Sequence, residues 1–318
     1  MKNTIIITAF FDIGRSEFDN FNRDNNKYLN HFKFWAGLKN DLIIYTEKKF
    51  EDDILSIRKD NGLQDKTTII TYNTIEEIDN IVYTKISKSM ENELCSAFRL
   101  KPNNPESKNS KYNYLMYLKS WFMNDALKYS KSENLAWLDF GFNNNNHYLD
   151  SNEFKFELIY DCNDKINIFA LQELDTTPIF EVVRNMSTYI QGTFYIMPTH
   201  LVTHFYHMNK NNVLALCKSN LCDDDQTIML MNYREYPKSF RVHYRNWLDF
   251  MFVVHDYDFK IALMNNIDVN LLSIDNMLNA FHKKKYELLA KYEAKKLLTN
   301  YIKVTKQTLK KLLKTRKI

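Results

Sequence analysis

Five short runs rich in β-branched and aromatic residues punctuate the first half of the chain: TIIITAF (Thr4–Phe10), DLIIYT (Asp41–Thr46), TTIITY (Thr67–Tyr72), AWLDF (Ala136–Phe140) and KINIFAL (Lys165–Leu171). A strand with one wet face alternates apolar and polar residues, whereas these are close to continuously apolar, as strands covered on both faces are. The stretches between them carry helical spacing, which implies parallel pairing through helical crossovers. The expected fold class is therefore α/β, a doubly wound, mostly parallel sheet with helices on both faces. The clearest helix is Tyr112–Tyr129, where Leu115, Leu118, Phe122 and Ala126 share a face with Tyr114 and Trp121 beside it. Leu201–Lys218 and Asp224–Tyr236 also read as helices, and Lys101–Lys111, with two of the five prolines, reads as an exposed loop.

At 318 residues and 45% hydrophobic the chain has ample material for a packed core, but its charge is uneven. Twelve Lys and one Arg between Lys283 and Ile318 face only Glu287 and Glu293, a balance of +11 that leaves −7 of the overall +4 for residues 1–282. The acidic body would repel a phosphate backbone, so no nucleic-acid partner is expected. Helical patterning after Leu271 suggests two parts, a main α/β domain over 1–270 and a basic helical extension over 271–318. In that extension Leu289, Tyr292, Leu297 and Tyr301 recur among lysines, the pattern of a helix lying on an anionic membrane surface, packing back on the acidic body or meeting another subunit. Cys95, Cys162, Cys217 and Cys222 form no CxxC pair and read as reduced thiols of a cytoplasmic protein. The opening IIITAFF ends at Asp12 without a small-residue cleavage site, so it reads as a first strand and not a signal peptide. No apolar run approaches the ~20 residues that span a bilayer.

Ligands of open α/β sheets bind beyond the carboxyl ends of the strands. Two such ends place an Asp beside a Gly: Phe11-Asp12-Ile13-Gly14-Arg15 and Asp139-Phe140-Gly141. Asp139 is the more pointed of the two, since an acid closing an otherwise buried strand is costly unless it has a job or a partner. No GxGxxG follows the first strand, and GxxxxGK[ST], GxSxG and HExxH are absent, which argues against a dinucleotide enzyme and a P-loop NTPase. Asp223-Asp224-Asp225-Gln226 opens a predicted helix, and its three acids exceed the one or two that capping and the helix dipole explain.

TAFFDIGR, the YNYLMYLKSWF helix and the strand WLDFGF resemble the WlaTC/HtrL-type glycosyltransferases, bacterial proteins of surface-polysaccharide and lipooligosaccharide loci. The resemblance runs in order from about Thr4 to Tyr257 and leaves out the basic tail. It implies a GT-A-like fold with a nucleotide-sugar at the ends of the first and fourth strands. There such enzymes usually carry Asp-x-Asp to hold Mn²⁺ or Mg²⁺ against the diphosphate. Here the motif is Asp139-Phe140-Gly141, one acid short, so a metal shell would need His243 or His255 besides water and the diphosphate. The donor-binding set so implied is Phe11, Asp12, Arg15, Lys119, Asp139, Gly141 and Gly192, the last in a sugar-pocket wall at Tyr189–Ile196. Asp225 and Gln226 would face the acceptor, with Asp225 as general base if the reaction inverts. The expected activity is sugar transfer from a nucleotide-sugar to a lipooligosaccharide, capsule or other surface glycan, free or lipid-linked, by a cytoplasmic enzyme that the basic tail could hold at the inner membrane face. The alternative is a catalytically silent nucleotide- or glycan-binding protein using the same cleft.

Overall fold

The computed structural model describes residues 3–17, 23–143, 151–245, 247 and 249–251. The basic extension, the division at residue 270 and His255 lie outside the described residues.

Among them, seven strands form one sheet in the order β3-β2-β1-β4-β6-β5-β7. The strands are β1 (Thr4–Phe10), β2 (Leu42–Glu47), β3 (Thr67–Tyr72), β4 (Asn134–Leu138), β5 (Ile166–Ala170), β6 (Phe194–Pro198) and β7 (Phe240–Tyr244). The helices are α1 (Asn25–Trp35), α2 (Glu51–Asp60), α3 (Asn80–Met90), α4 (Glu93–Ala97), α5 (Pro105–Lys108), α6 (Ser110–Ala126), α7 (Ile179–Asn185), α8 (Val202–Lys218) and α9 (Asp225–Glu235). β1 pairs in parallel with β2 and β4, β2 with β3, and β5 with β7, while β6 runs antiparallel between β4 and β5. The sheet is thus mostly parallel with one reversed strand.

Both faces of β1, β2, β4, β5 and β6 are covered, which is why these strands are buried at nearly every position, while the edge strands β3 and β7 are largely half-buried or exposed. Ile5, Ile7 and Ala9 of β1 join Leu135 and Trp137 of β4 in a core shared with Leu118 and Phe122 of α6 and Phe205 and Met208 of α8. Trp137 stacks on Phe122 and Tyr195, at 6.5 and 6.4 Å. On the other face Phe10 stacks on Phe140 at 4.7 Å and meets Tyr28 of α1 and Phe50 at the start of α2. Trp35 at the end of α1 donates from Nε1 to the Phe140 carbonyl at 3.2 Å.

The amino edge of the sheet is tied together by one buried cation. The guanidinium of Arg58 on α2 donates to the carbonyls of Ala36, Leu38, Asn40 and Lys66 and to Thr67 Oγ1, at 2.6 to 3.5 Å.

Two local expectations change. β4 starts two residues before Ala136 and stops at Leu138, because the Asp139 N–H crosses to the Thr193 carbonyl and the Phe142 N–H turns back onto Asp139. The segment 101–111 is not an open loop: Pro105 sits in the first turn of α5, where its missing N–H costs nothing, and Pro105 and Ser107 are buried. Asn109 then caps α6 by accepting from the Tyr112 N–H at 3.0 Å and donates to the Ile13 carbonyl at 3.1 Å. That last bond fastens α6 to the loop after β1.

Candidate active site

From β1 the chain steps outward through β2 and β3, and then returns to place β4 on the other side of β1. The crossovers diverge there and leave a crevice at the carboxyl ends of β1 and β4. Two adjoining hollows of about 80 and about 350 Å³ occupy it, and both are lined by Arg15, Arg23, Met116, Lys119 and Asp139. The smaller is walled by Phe11, Ile13, Tyr28, Trp137, Phe140 and Gly141. The larger takes in Glu106, Tyr112, Gly192, Thr193, Asp225 and Gln226.

Asp139 has its partner in Lys119. The Lys119 ammonium lies 2.9 Å from Asp139 Oδ1 and 2.9 Å from Asp225 Oδ2, and it donates to the Gly192 carbonyl at 3.1 Å. An ammonium has three N–H groups, so all three are engaged. Trp137 Nε1 also donates to Asp139 Oδ1, at 2.7 Å, and its ring lies 5.7 Å from the ammonium. Burial alone would push the lysine to shed its proton, but the two carboxylates outweigh it and its pKa stands above the ordinary value. Burial raises the Asp225 carboxyl, Lys119 pulls it back, and Asp139 adds to the rise.

The reversed direction of β6 brings Gly192 here. Because β6 opposes β4, its beginning lies beside the end of β4, with Phe194 across from Leu138. A Cβ at Gly192 would sit 2.3 Å from Asp225 Oδ2, so the missing side chain leaves room for the Asp225 carboxylate. Gly141 is open for a similar reason: its Cβ would lie 2.8 Å from the Tyr28 ring.

The three consecutive acids have three separate tasks. Asp223 pairs with buried Arg99 at 2.9 Å and accepts from Thr227 Oγ1 at 2.8 Å. Asp224 caps α9 by accepting from the Gln226 N–H at 3.1 Å, and burial holds its carboxyl well above the usual range. Asp225 is left to meet Lys119.

Around β1 the residues divide. Arg15 is bonded to the Tyr28 hydroxyl and lies against the Tyr28 and Tyr112 rings, at 5.7 and 5.2 Å to their centroids. Asp12 organises the loop, accepting from the Gly14 N–H at 3.1 Å, from Asn25 at 3.0 Å and from Lys49 at 3.3 Å. The Asn25 bond leads in holding its carboxyl below the ordinary value. Arg23, Tyr28, Glu106 and Thr193 also line the cleft, and nothing local in the sequence marks them.

A divalent ion does not fit this arrangement. Among the described residues no three His, Cys, Asp or Glu side chains gather to hold one, and the point between Asp139 and Asp225 is filled by the ammonium. His243 sits in β7 with Nε2 3.2 Å from the Tyr160 hydroxyl and 3.0 Å from Asn167 Oδ1, its ring stacked on Phe169. Burial, with Arg241 and Arg245 adding, pushes its pKa down to about 3, so it is neutral.

Residues 2–255 match the family described as "Bacterial protein of unknown function (HtrL_YibB)". Protein HtrL of Escherichia coli K12 is 28% identical over 270 residues, which cover 78% of this chain and 91% of that protein. Among solved structures, apo mouse xyloside xylosyltransferase 1 is similar with a TM-score of 0.42 at 10% identity, over 82% of this chain and 94% of that one. A cytidylyltransferase from Leptospira borgpetersenii is similar with a TM-score of 0.33 at 12% identity, over 78% and 77%.

Proposed function

The chain belongs to the HtrL_YibB family, and from that premise and the cleft we propose that it is a GT-A-like glycosyltransferase moving a sugar from a nucleotide-sugar to a bacterial surface glycan. One observation supports this most. Carboxylates from two distant segments, Asp139 after β4 and Asp225 at the start of α9, meet through buried Lys119 at the switch point, above a hollow of about 350 Å³.

Each residue then has a role. The aromatic hollow around Phe11, Phe140 and Gly141 takes the nucleoside, with Asp12 shaping the loop that bounds it. Departure of the nucleoside diphosphate builds negative charge, and Arg15 is placed to meet it. Asp139, the most exposed member of the triad, faces donor hydroxyls. Gln226 and Asp225 lie on the acceptor side, and the raised Asp225 pKa brings it toward the range in which a carboxylate works as a general base. The acceptor is a lipooligosaccharide, capsule or other lipid-linked glycan, reached from the cytoplasmic side by a peripheral enzyme. Among the described residues no helix is long and apolar enough to cross a membrane.

The test is nucleoside diphosphate release from a panel of nucleotide-sugars by the purified protein without acceptor. Slow release that falls about a hundredfold in Asp139→Asn supports the assignment. Donors that raise the melting temperature yet stay intact identify a binding protein instead.

A further inference from the structure

The cation position of the site is filled by the protein itself. In a metal-dependent site of this kind a hard ion bridges two carboxylates and the diphosphate, with oxygens at about 2.0–2.1 Å for Mg²⁺. Here Asp139 Oδ1 and Asp225 Oδ2 are bridged by Lys119 Nζ, 2.9 Å from each. The lysine reaches that point from the middle of α6, is nine-tenths or more buried, and is anchored a third time on the Gly192 carbonyl. A divalent ion entering between the same oxygens would have to displace an ammonium already bonded to Asp139, Asp225 and the Gly192 carbonyl, and would face its charge at close range. Resting on the donor reading above, we propose that the protein binds its nucleotide-sugar without a divalent ion: Lys119 takes the place of the cation between the carboxylates, and Arg15 and Arg23 meet the diphosphate.

The division of labour follows from donor counting. All three N–H groups of Lys119 are used, so it neutralises and aligns Asp139 and Asp225 and has none left for phosphate. The triad carries a net charge of −1, which by itself would repel a diphosphate. The compensating charge is at the junction of the two hollows, where both Arg15 and Arg23 form part of the wall. Guanidinium groups suit the task, since they donate in pairs to phosphate oxygens.

The experiment uses the unaltered full chain and two probes. Mn²⁺ alone is titrated and followed by its electron paramagnetic resonance. UDP, GDP, CDP and ADP are each titrated by calorimetry, once with EDTA and once with excess Mn²⁺. No Mn²⁺ binding, together with one diphosphate whose affinity in EDTA is within about twofold of that in Mn²⁺, is the expected result. Affinity at least about tenfold tighter with Mn²⁺, or a Mn²⁺ site in the free protein, overturns the inference and leaves the donor reading standing. Failure of all four diphosphates in both conditions overturns the donor reading and this inference with it. Arg15→Gln and Arg23→Gln should each weaken the diphosphate that binds in EDTA by roughly tenfold or more, with melting temperatures near wild type. Unchanged affinity in both variants overturns the arginine assignment.

Discussion

The two edges of the sheet each bury a cation and satisfy it by different means. At the amino edge all five N–H groups of Arg58 go to four backbone carbonyls and a hydroxyl, with no carboxylate among them. At the carboxyl edge Lys119 is met by two carboxylates and one carbonyl. Carbonyls are neutral acceptors that the backbone must satisfy anyway, so Arg58 fixes the loops around α2 without adding further charge to the interior. Its pKa falls to about 10 through burial, still well above neutral pH. The two acids at Lys119 add charge that a structural tie does not require. A fold tolerates that expense where chemistry uses the charge.

The largest effects come from removing either cation. Arg58→Met strands four carbonyls in the interior and should lower stability by about 3–5 kcal/mol, as breaking a buried charged network does. Arg58→Lys should recover little, because three donors on a point charge cannot replace a five-donor fork. Lys119→Met should cost a similar amount, but by leaving buried Asp225 and half-buried Asp139 without their counter-charge. The variants separate on partner substitution. Lys119→Met combined with Asp225→Asn should regain much of the lost stability in urea unfolding while donor turnover stays lost. No such second substitution restores Arg58→Met, since four of the five partners of Arg58 are backbone carbonyls and the fifth is the neutral Thr67 hydroxyl. If the double variant is no more stable than Lys119→Met, the triad is not held by charge.

Acid titration sharpens the same contrast. The folded-state pKa of Asp225 is raised, so the native chain binds more protons than the unfolded one above the ordinary carboxylate value, and stability falls as pH rises through that window. Lys119→Met removes the group that restrains this rise. Its deficit against wild type should therefore shrink as pH is lowered from about 7 toward about 4. Arg58→Met should show no comparable recovery, since it frees no carboxylate. A Lys119→Met deficit that stays constant across this range would mean that its damage is steric.

The contrast also shows which parts of the molecule were legible in the sequence. β1 and β3 were readable to the residue: β1 is buried at every position and leaves a long apolar run, while β3, a partly exposed edge strand, is marked by its β-branched residues. α6, α8 and α9 were placed within three residues at each end by their spacing and caps. The reversal of β6 was not readable, since apolar content carries no direction, and with it went the reason for Gly192. Asp139, Asp225 and Lys119 each stood out singly. Their meeting did not, because Lys119 and Asp225 lie 106 residues apart and the bond depends on strand order. Arg58 and Arg99 gave no signal at all: a buried arginine looks in sequence like any solvated one.

Glycine substitutions at the two edges should give smaller and opposite signatures. Gly62, just past α2, has φ +68 with nothing within 4 Å of an added Cβ, so Gly62→Ala meets backbone strain alone and should cost about 1–2 kcal/mol with turnover unchanged. Gly192→Ala meets the Asp225 carboxylate at 2.3 Å and must move it. It should cost about 1–3 kcal/mol in stability and, in donor-release assays, a larger share of activity, because the displaced group is the proposed base. Equal losses of turnover in the two variants would remove the distinction between the edges.

The smallest effect is expected between the edges, at His243. Its ring is neutral in the folded protein, with a pKa pushed down to about 3, whereas in the unfolded chain it titrates near 6.5. Below about pH 6.5 the unfolded state therefore holds the extra proton, and stability contributed by the neutral ring is lost progressively as pH falls toward 3. Full burial would make that slope about 1.4 kcal/mol per pH unit, and the partial exposure of this strand reduces it. His243→Gln keeps an amide able to bond Asn167 and Tyr160 but cannot titrate, so at neutral pH it should lie within about 1 kcal/mol of wild type. As pH is lowered to about 5 the gap should close or change sign in urea unfolding. Donor release at pH 7 should be unchanged, with or without added Mn²⁺, because the ring is committed to Tyr160 and Asn167. A loss of Mn²⁺-stimulated turnover in this variant would return His243 to the metal-ligand role its sequence position suggested, and would break the assignment of the cation position to Lys119.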